Sequence, residues 1–554
     1  MQIVRTYYNE AKFEEATYIR YEKDIQFLEV VAGGDEEMAS QLFRNEPDAW
    51  KHASVFRFAL RIAAGESHTV LFRRLLAIQA SRDFDVSEHL PWLYKEATSS
   101  DNNVLLKSIL AIGIAPDTTF DDEYHKSTYL PGTNRRERRK LNQVSTFLHA
   151  TARRGFVRSV KLLLENGADP RLLTIPRDQK EQQFNALEYA IYLKRYAVVE
   201  VLVDHGVRTR EEWTRSNLFR RPRSWPVWAM KIFIEQHGSL INATGSSGWS
   251  LLDIVIARRS GVEIVEFLIN KGADVNMRSS HDEPSLLHEA ASYHKGGISI
   301  VELLINAHAK LEARGYGGKT PLHTAAGSWS SDGPAIVKML LDAHANLEAR
   351  DNNRETPLHT AAGSWSSDQQ VGPTIVKMLL DAHANLEARD NNGKTPLHTA
   401  AGGLSSGGPA IVKMLLDAHA NTEARDNNGQ TPLHTVAGNQ SSGGPAIVKM
   451  LLDAHANLEA RDNNGKTPLH IAAGGLSSGG PAIVKMLLDA RANIEARNPE
   501  NTTPLGRLVF VAQLWGWSRS RNVIAKLLID VGAHVEKSWD IKEGARGLFG
   551  MDSM

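Results

Sequence analysis

The stretch TPLHTAAG at residues 320–327 decides how this chain folds, because it returns almost unchanged along the sequence. Its Thr stands at 320, 356, 395, 431 and 467, and Thr503-Pro504-Leu505 follows without the His. The spacings between these Thr residues are 36, 39, 36, 36 and 36. Each copy continues with a Ser/Gly-rich stretch, then IVKMLLDA, then a turn rich in Asp and Asn. A period of this length indicates stacked supersecondary units.

Each part of the repeat predicts a structural element. Thr320 suits the N-cap of a first helix, and Pro321 suits its first turn, where the missing N–H costs nothing. Pro334 begins a second helix in the same way. That helix has an apolar face at helical spacing, formed by Ile336, Val337, Leu340 and Leu341.

The residue after the second helix is expected to adopt a left-handed conformation, which Gly normally supplies. Gly167 and Gly272 stand there in divergent copies. In the regular copies the place belongs to His, which tolerates positive φ better than most residues; these are His344, His383, His419 and His455.

These residues carry a resemblance to the ankyrin repeat, whose signature begins Thr-Pro-Leu-His-x-Ala. The resemblance is closest over residues 285–535 and implies an all-α fold, a solenoid of helix-turn-helix units with short hairpin turns. It also implies that the His of each copy braces the neighbouring turn through hydrogen bonds. The usual unit has about 33 residues, and the extra residues of this chain fall between the two helices.

Weaker copies extend the pattern to about fourteen units. We expect five segments: degenerate N-terminal units or a cap over 1–120, a polar basic insert at 121–143, divergent repeats over 144–284, regular repeats with extended inter-helix loops over 285–502, and a C-terminal capping repeat and tail over 503–554. A separate helical cap domain over 1–140 is the alternative for the N-terminal part.

The composition excludes several classes of function. Lys plus Arg and Asp plus Glu number 64 each, so the formal net charge of zero predicts no attraction to nucleic acid or to an anionic membrane. The absence of Cys excludes disulfides, thiolate zinc sites and Cys nucleophiles. No apolar run is long enough to span a membrane, and residues 1–21 lack the apolar core of a secretory signal. The expected location is cytoplasmic, with the nucleus as the other option.

A stack of helix pairs offers a broad surface, whereas catalysis needs an enclosed pocket with converging polar groups. We therefore expect a protein-protein interaction scaffold or recognition module, not an enzyme, whose protein partner the sequence does not identify. Two alternatives stay open: an active-site cleft built from the atypical units at 1–250, or a regulatory subunit of an enzyme complex. The oligomeric state is open as well.

Two sets of residues are predicted to contact the partner. The inter-helix loops differ among otherwise identical copies, and one position in them carries Trp329, Trp365 and Leu404. This variation indicates either drift on a free surface or a diversified contact surface with Trp anchors. The resemblance implies binding through the hairpin tips and the first helices. The tips are Asp351, Asn352, Asn353, Asp390, Asn391, Asn392, Asp426, Asn427, Asn428, Asp462, Asn463 and Asn464.

Two basic clusters are further candidates. The first could be a nuclear-import signal, a contact for an acidic partner or a solvated loop, and consists of Arg135, Arg136, Arg138, Arg139 and Lys140. The second could contact RNA or pack into its own repeat, and consists of Arg215, Arg220, Arg221 and Arg223 beside Trp213 and Trp225.

Three motifs fail on inspection, so no cofactor and no metal are expected. The His ladder from His323 to His470 leaves each imidazole alone at the repeat spacing. The Gly-Lys-Thr triplets lack the Gly that a P-loop needs five residues earlier, where Ala313, Ala388 and Ala460 stand. His288-Glu289 resembles a zincin motif, but the next His is His294, at the wrong spacing.

Overall fold

The structure is a computed structural model with two compact regions, an N-terminal region (Met1–Thr214) and a C-terminal region (Arg215–Met554). The described residues are 22–45, 53–65, 68–80, 97, 103–111, 114–121, 144–175, 183–220, 226–245, 248–277, 283–292, 297–328, 330–363, 370–403, 408–438, 443–475 and 480–535. Within them the fold is almost entirely helical, as predicted.

The N-terminal region is built from helices that pack in two rows. They are α1 (Glu22–Gly33), α2 (Glu36–Asn45), α3 (Ala53–Gly65), α4 (Thr69–Ala80), α5 (Asn103–Ala111), α6 (Phe147–Arg154), α7 (Val157–Glu165), α8 (Ala186–Tyr192) and α9 (Tyr196–Asp204). Helices α1 and α3 pack together in one row, as do α6 and α8, while the other row runs α2, α4, α5, α7 and α9. The weakly patterned N-terminal segment therefore uses the same two-layer packing as the later repeats.

A short two-stranded sheet interrupts the helices of this region. Strand β1 (Thr119–Asp121) pairs antiparallel with β2 (Val144–Thr146), with Thr119 opposite Thr146. The all-α prediction missed this pair, although Thr, Phe and Val are residues that favour strands. The two strands stand on either side of the predicted insert, so their pairing brings the two ends of that insert together. Residues 122–143 of the insert lie outside the described residues.

The C-terminal region repeats one helix pair many times. After α10 (Glu211–Arg220), which crosses the boundary between the regions, come α11 (Val227–Gln236), α12 (Leu251–Ala257), α13 (Val262–Asn270), α14 (Leu286–Ala291), α15 (Gly297–Asn306), α16 (Pro321–Ala326), α17 (Gly333–Asp342), α18 (Pro357–Gly363), α19 (Val371–Asp381), α20 (Pro396–Gly402), α21 (Gly408–Asp417), α22 (Pro432–Ala437), α23 (Gly444–Asp453), α24 (Pro468–Gly474), α25 (Gly480–Asp489), α26 (Pro504–Trp515) and α27 (Arg519–Asp530). Even-numbered helices from α12 to α26 pack in one row, and odd-numbered helices from α11 to α27 in the other. The predicted number of fourteen repeats stays a prediction.

The predicted caps are confirmed in the regular repeats. Thr320 lies in extended backbone and its side chain accepts from the backbone N–H of His323. The residues after the second helices are left-handed, with φ from 58° at His455 to 67° at Arg491. One divergent copy departs from the prediction: α11 ends at Gln236, and His237 adopts φ −134° before a 3-10 turn that starts at Gly238. Gly238 therefore does not serve as the left-handed residue.

Polar side chains join each regular repeat to the next. Glu312 Oε1 accepts from the backbone N–H of Asn346 at 2.7 Å, and Glu348 Oε1 accepts from that of Asn385 at 2.8 Å. Arg389 Nη1 donates to the backbone carbonyl of Arg425 at 2.8 Å. The same two bonds recur in later repeats, so the repeat sequence itself encodes the contact between neighbours.

Helix α26 is the first helix of the C-terminal helix pair, and it differs from the other first helices at one packing position. In the regular repeats a Gly ends the first helix, and a Cβ built on Gly363 would lie 3.0 Å from Thr399 Cγ2 of the next repeat. In α26 the same position holds Phe510, whose side chain is 50% exposed. Leu514 and Trp515 of this helix are exposed as well.

Candidate binding groove

The hairpin turns of the regular repeats are organised around a buried Asp. Asp351 Oδ1 accepts from the backbone N–H of Asn353 at 2.8 Å and of Glu355 at 2.9 Å. The other three turns repeat this arrangement, and in each of them the Asp is buried, namely Asp390, Asp426 and Asp462. These four carboxylates hold the shape of the turn and are largely buried; their contact with a partner stays a prediction.

The two Asn residues of each turn have different surroundings. The side chain of Asn391 donates through Nδ2 to the carbonyl of Asn352 at 3.0 Å, and Asn427 donates to Asn391 at 2.9 Å. The first Asn of each turn therefore joins it to its neighbour. Both Asn residues are exposed in all four turns, but the side chain of the second takes no part in these bonds between turns. The second Asn residues are Asn353, Asn392, Asn428 and Asn464.

Several predicted contact residues lie outside the described residues. Trp329, Trp365 and Leu404 are among them, as is the whole basic cluster at 135–140. In the second basic cluster, Arg221, Arg223 and Trp225 are also outside. Trp213 is buried and meets the ring of Phe184 edge-on, with centroids 6.2 Å apart, which confirms the packing interpretation for this residue.

A groove runs between the hairpin turns and the first helices of three regular repeats, and we call it the hairpin groove. It holds a cavity of about 550 Å³. Its floor is formed by small residues of α18 and α20, with Thr360, Thr399 and Gly402 among them, while Lys319 and Lys394 lie at its edge. Because the floor side chains are small, they leave the space of the groove open along the first helices.

Two residues of the His ladder, His359 and His398, form the inner wall of the groove, and all five imidazoles are hydrogen-bonded by the protein. His323 Nδ1 accepts from the N–H of Thr320 at 3.2 Å, so the proton sits on Nε2, which donates to the carbonyl of Glu355 in the next repeat at 3.0 Å. This confirms the bracing role that the resemblance implied.

Burial lowers the pKa of each of these imidazoles below its ordinary value, although the backbone acceptor acts in the opposite direction. The ladder is therefore neutral at pH 7, and it consists of His323, His359, His398, His434 and His470.

A smaller pocket occupies the equivalent place between α12 and α14, and we call it the tryptophan pocket. It has a volume of about 80 Å³. Its lining residues are Trp249, Asp253, Ala257, Glu283, Pro284, Leu286, Glu289 and Tyr316. Burial raises the pKa of both carboxyl groups, and the charge of Asp253 raises that of Glu289 further.

Motif searching missed the tryptophan pocket because none of its residues belongs to a familiar motif. An alignment of the repeats could have found it. Asp253 stands where the regular repeats have the ladder His, and Glu289 stands where they have a Thr. Both are therefore charged residues on the groove side of a first helix.

Two further features are absent from the described part of the chain. Its His, Asp and Glu residues form no group of three or more that could hold a metal ion. Nor do these residues include a helix with the length and apolar character to cross a membrane.

The comparisons with known proteins agree with this geometry. A family profile described as ankyrin repeats (3 copies) matches residues 126–212, 254–351, 328–406 and 403–498, which together make up more than half of the chain. A comparison with curated protein sequences finds no match.

Proposed function

Because the chain belongs to the ankyrin repeat family, we propose that it binds a protein partner, which presents an extended segment to the hairpin groove. Repeats of this kind are in general protein-protein interaction modules. The observation that carries the proposal is the groove floor, where Thr360 and Thr399 alternate with Gly over consecutive repeats. An extended peptide backbone needs such a floor, because bulky side chains would prevent its approach.

Polar groups at the edge of the groove support the same proposal. Lys319 and Lys394 flank Glu355, so the rim alternates in charge along the direction of stacking. The exposed Asn392 adds an amide that both donates and accepts hydrogen bonds. A partner segment would find polar contacts at the spacing of the repeats.

The proposed function is binding and not catalysis. The titratable groups of the inner wall, His359 and His398, have both ring nitrogens engaged by the protein. A general base needs a free nitrogen within reach of its substrate. The proposed setting is the cytoplasm, with the nucleus as the other option, and the proposed role is that of a scaffold or recognition module.

A display experiment tests the proposal. A library of random linear peptides is selected on the intact chain and on a Thr360→Arg, Thr399→Arg variant. Arg is tolerated at this position of the repeat, since Arg507 occupies it in the last repeat and packs beside Gly474. The two Arg side chains would fill the floor, so we expect at least a tenfold loss of affinity for the selected peptides.

The matched control is Thr374→Arg, the same exchange at an exposed position of the second helix α19. It should leave peptide affinity unchanged. Equal binding by the intact chain and the floor variant would contradict the hairpin groove as the site and direct attention to the loops at 329 and 365.

A further inference from the structure

The tryptophan pocket departs from the repeat at four places at once. Where the regular repeats have Lys, Glu or Gln before the cap, this pocket has Trp249, and where they have the first Asn of the turn, it has Tyr316. Asp253 and Glu289 replace the ladder His and the floor Thr. These four residues come from three successive repeats, yet all of them line one pocket.

The aromatic residues of the pocket are unusually exposed for their size. Trp249 is 40% exposed and Tyr316 is 69% exposed, whereas most large apolar side chains of the described residues are buried. Rings that are left in solvent beside a pocket are typical of a surface that a ligand covers.

Asp253 and Glu289, two of the three carboxylates that line the pocket, have no cationic partner among the described residues. Asp253 Oδ2 accepts from the N–H and the hydroxyl of Ser250, at 2.8 and 2.6 Å, as part of its helix cap. The carboxylate of Glu289 has neither a hydrogen bond nor an ion pair within the described residues. Negative charge, partial burial and aromatic faces together favour a positively charged group.

We propose that the tryptophan pocket binds the cationic side chain of an arginine or lysine in the partner, with Glu289 pairing with the charge and the rings of Trp249 and Tyr316 packing against it. The volume of about 80 Å³ fits the head group of one such side chain, since a water molecule takes about 30 Å³. The inference deepens the proposed function, because it assigns to the partner segment a basic residue in a defined place.

The direct test uses small probes and the intact chain. Blocked arginine and blocked lysine (the Nα-acetyl, N-methylamide forms) are titrated while the indole N–H signals of the Trp residues are followed by NMR, with Trp249→Phe assigning the signal of interest. Blocked citrulline is the neutral isostere of the arginine probe. We expect one or both cationic probes to shift the Trp249 signal with millimolar affinity and citrulline to leave it in place.

Two variants then test the assigned roles. Glu289→Gln preserves shape and removes the charge, and should weaken probe binding about tenfold. Glu263→Gln removes a charge from an exposed position of α13 and should change nothing. A citrulline shift as large as that of arginine, or equal binding by the intact chain and Glu289→Gln, would overturn the proposal.

The same variant separates this inference from the proposed function. The selected peptides could bind the hairpin groove without any enrichment of Arg or Lys and with the same affinity for the Glu289→Gln variant. That result would support the hairpin groove and contradict the pocket proposal. If the arginine probe binds while no peptide is selected, the pocket stands and the proposed function fails.

Discussion

At the scale of single residues, one position of each hairpin turn has a left-handed backbone conformation, whether its residue is Gly or has a side chain. Three hairpin turns have Gly there, namely Gly393, Gly429 and Gly465, each at positive φ. In the turn at 351–355 the same position is held by Arg354, with φ 60°. A side chain with Cβ is strained in this conformation, because Cβ approaches the following carbonyl.

Arg354→Gly should therefore stabilise the protein. We expect the free energy of unfolding to rise by about 0.5–1 kcal/mol, after allowance for the greater freedom of Gly in the unfolded chain. Equilibrium urea unfolding followed by circular dichroism measures this change.

The reverse exchange at the matched position is Gly393→Arg. It should lower the free energy of unfolding by more than Arg354→Gly raises it. A Cβ at this position would lie 2.4 Å from Asn427 Oδ1 in the next turn, so a steric clash adds to the backbone strain. A higher midpoint for Gly393→Arg would contradict the strain argument.

At the scale of the element, one divergent repeat replaces the His ladder by an ion pair. Helix α8 begins after Asn185, and its capping-box carboxylate is Glu188, which is fully buried. Glu188 accepts from the backbone N–H of Arg210 at 2.8 Å and from its guanidinium at 2.8 and 3.0 Å. The pair joins α8 to the following turn, as the His-to-carbonyl bond does elsewhere.

Arg210→Met should destabilise the N-terminal region, because it leaves the charge of Glu188 buried with no cation beside it. We expect a loss of about 2–4 kcal/mol in the free energy of unfolding, less than for a fully buried pair because Arg210 is partly exposed. The parent protein, the single variants Glu188→Gln and Arg210→Met and the double variant form a thermodynamic cycle, which is measured by thermal unfolding. The double variant should recover part of the loss, and purely additive effects would contradict the coupling.

The elements themselves were largely predictable, whereas the tryptophan pocket was not. The caps at Thr320 and its copies followed from the repeat, since helix ends have local requirements that recur with the sequence. The β1–β2 pair was missed because two three-residue strands separated by 22 residues leave no local pattern. The burial of Asp351 and the meeting of Glu289 with Trp249 depend on contacts between neighbouring repeats, which a motif within one repeat does not reveal.

At the scale of the whole molecule, the five neutral imidazoles make stability depend on pH. Their pKa values are lowered in the folded protein, so the unfolded chain binds more protons below its own His pKa of about 6.5. Their contribution to stability is complete above that pH and is lost as the pH falls through the window below it.

The midpoint of urea unfolding should accordingly be lower at pH 5.5 than at pH 7.5. The double variant His398→Gln, His434→Gln lacks two of the five ladder His residues. It should lose about two fifths of the difference between the two midpoints if the five residues contribute equally. Salt concentration is kept constant in both buffers. An unchanged difference would show that other groups, such as the carboxylates, account for the pH dependence.

The aromatic ring of Phe510 also limits how an array of this kind can lengthen. Gene duplication can insert a new copy wherever Gly ends the first helix, because the Thr of any copy fits beside that Gly. A copy of the regular repeat added after Phe510 would place its Thr beside an aromatic ring instead of a Gly. The near-identical copies at 320–502 all have Gly at this position, so each of them offers the next copy the packing partner that its Thr fits.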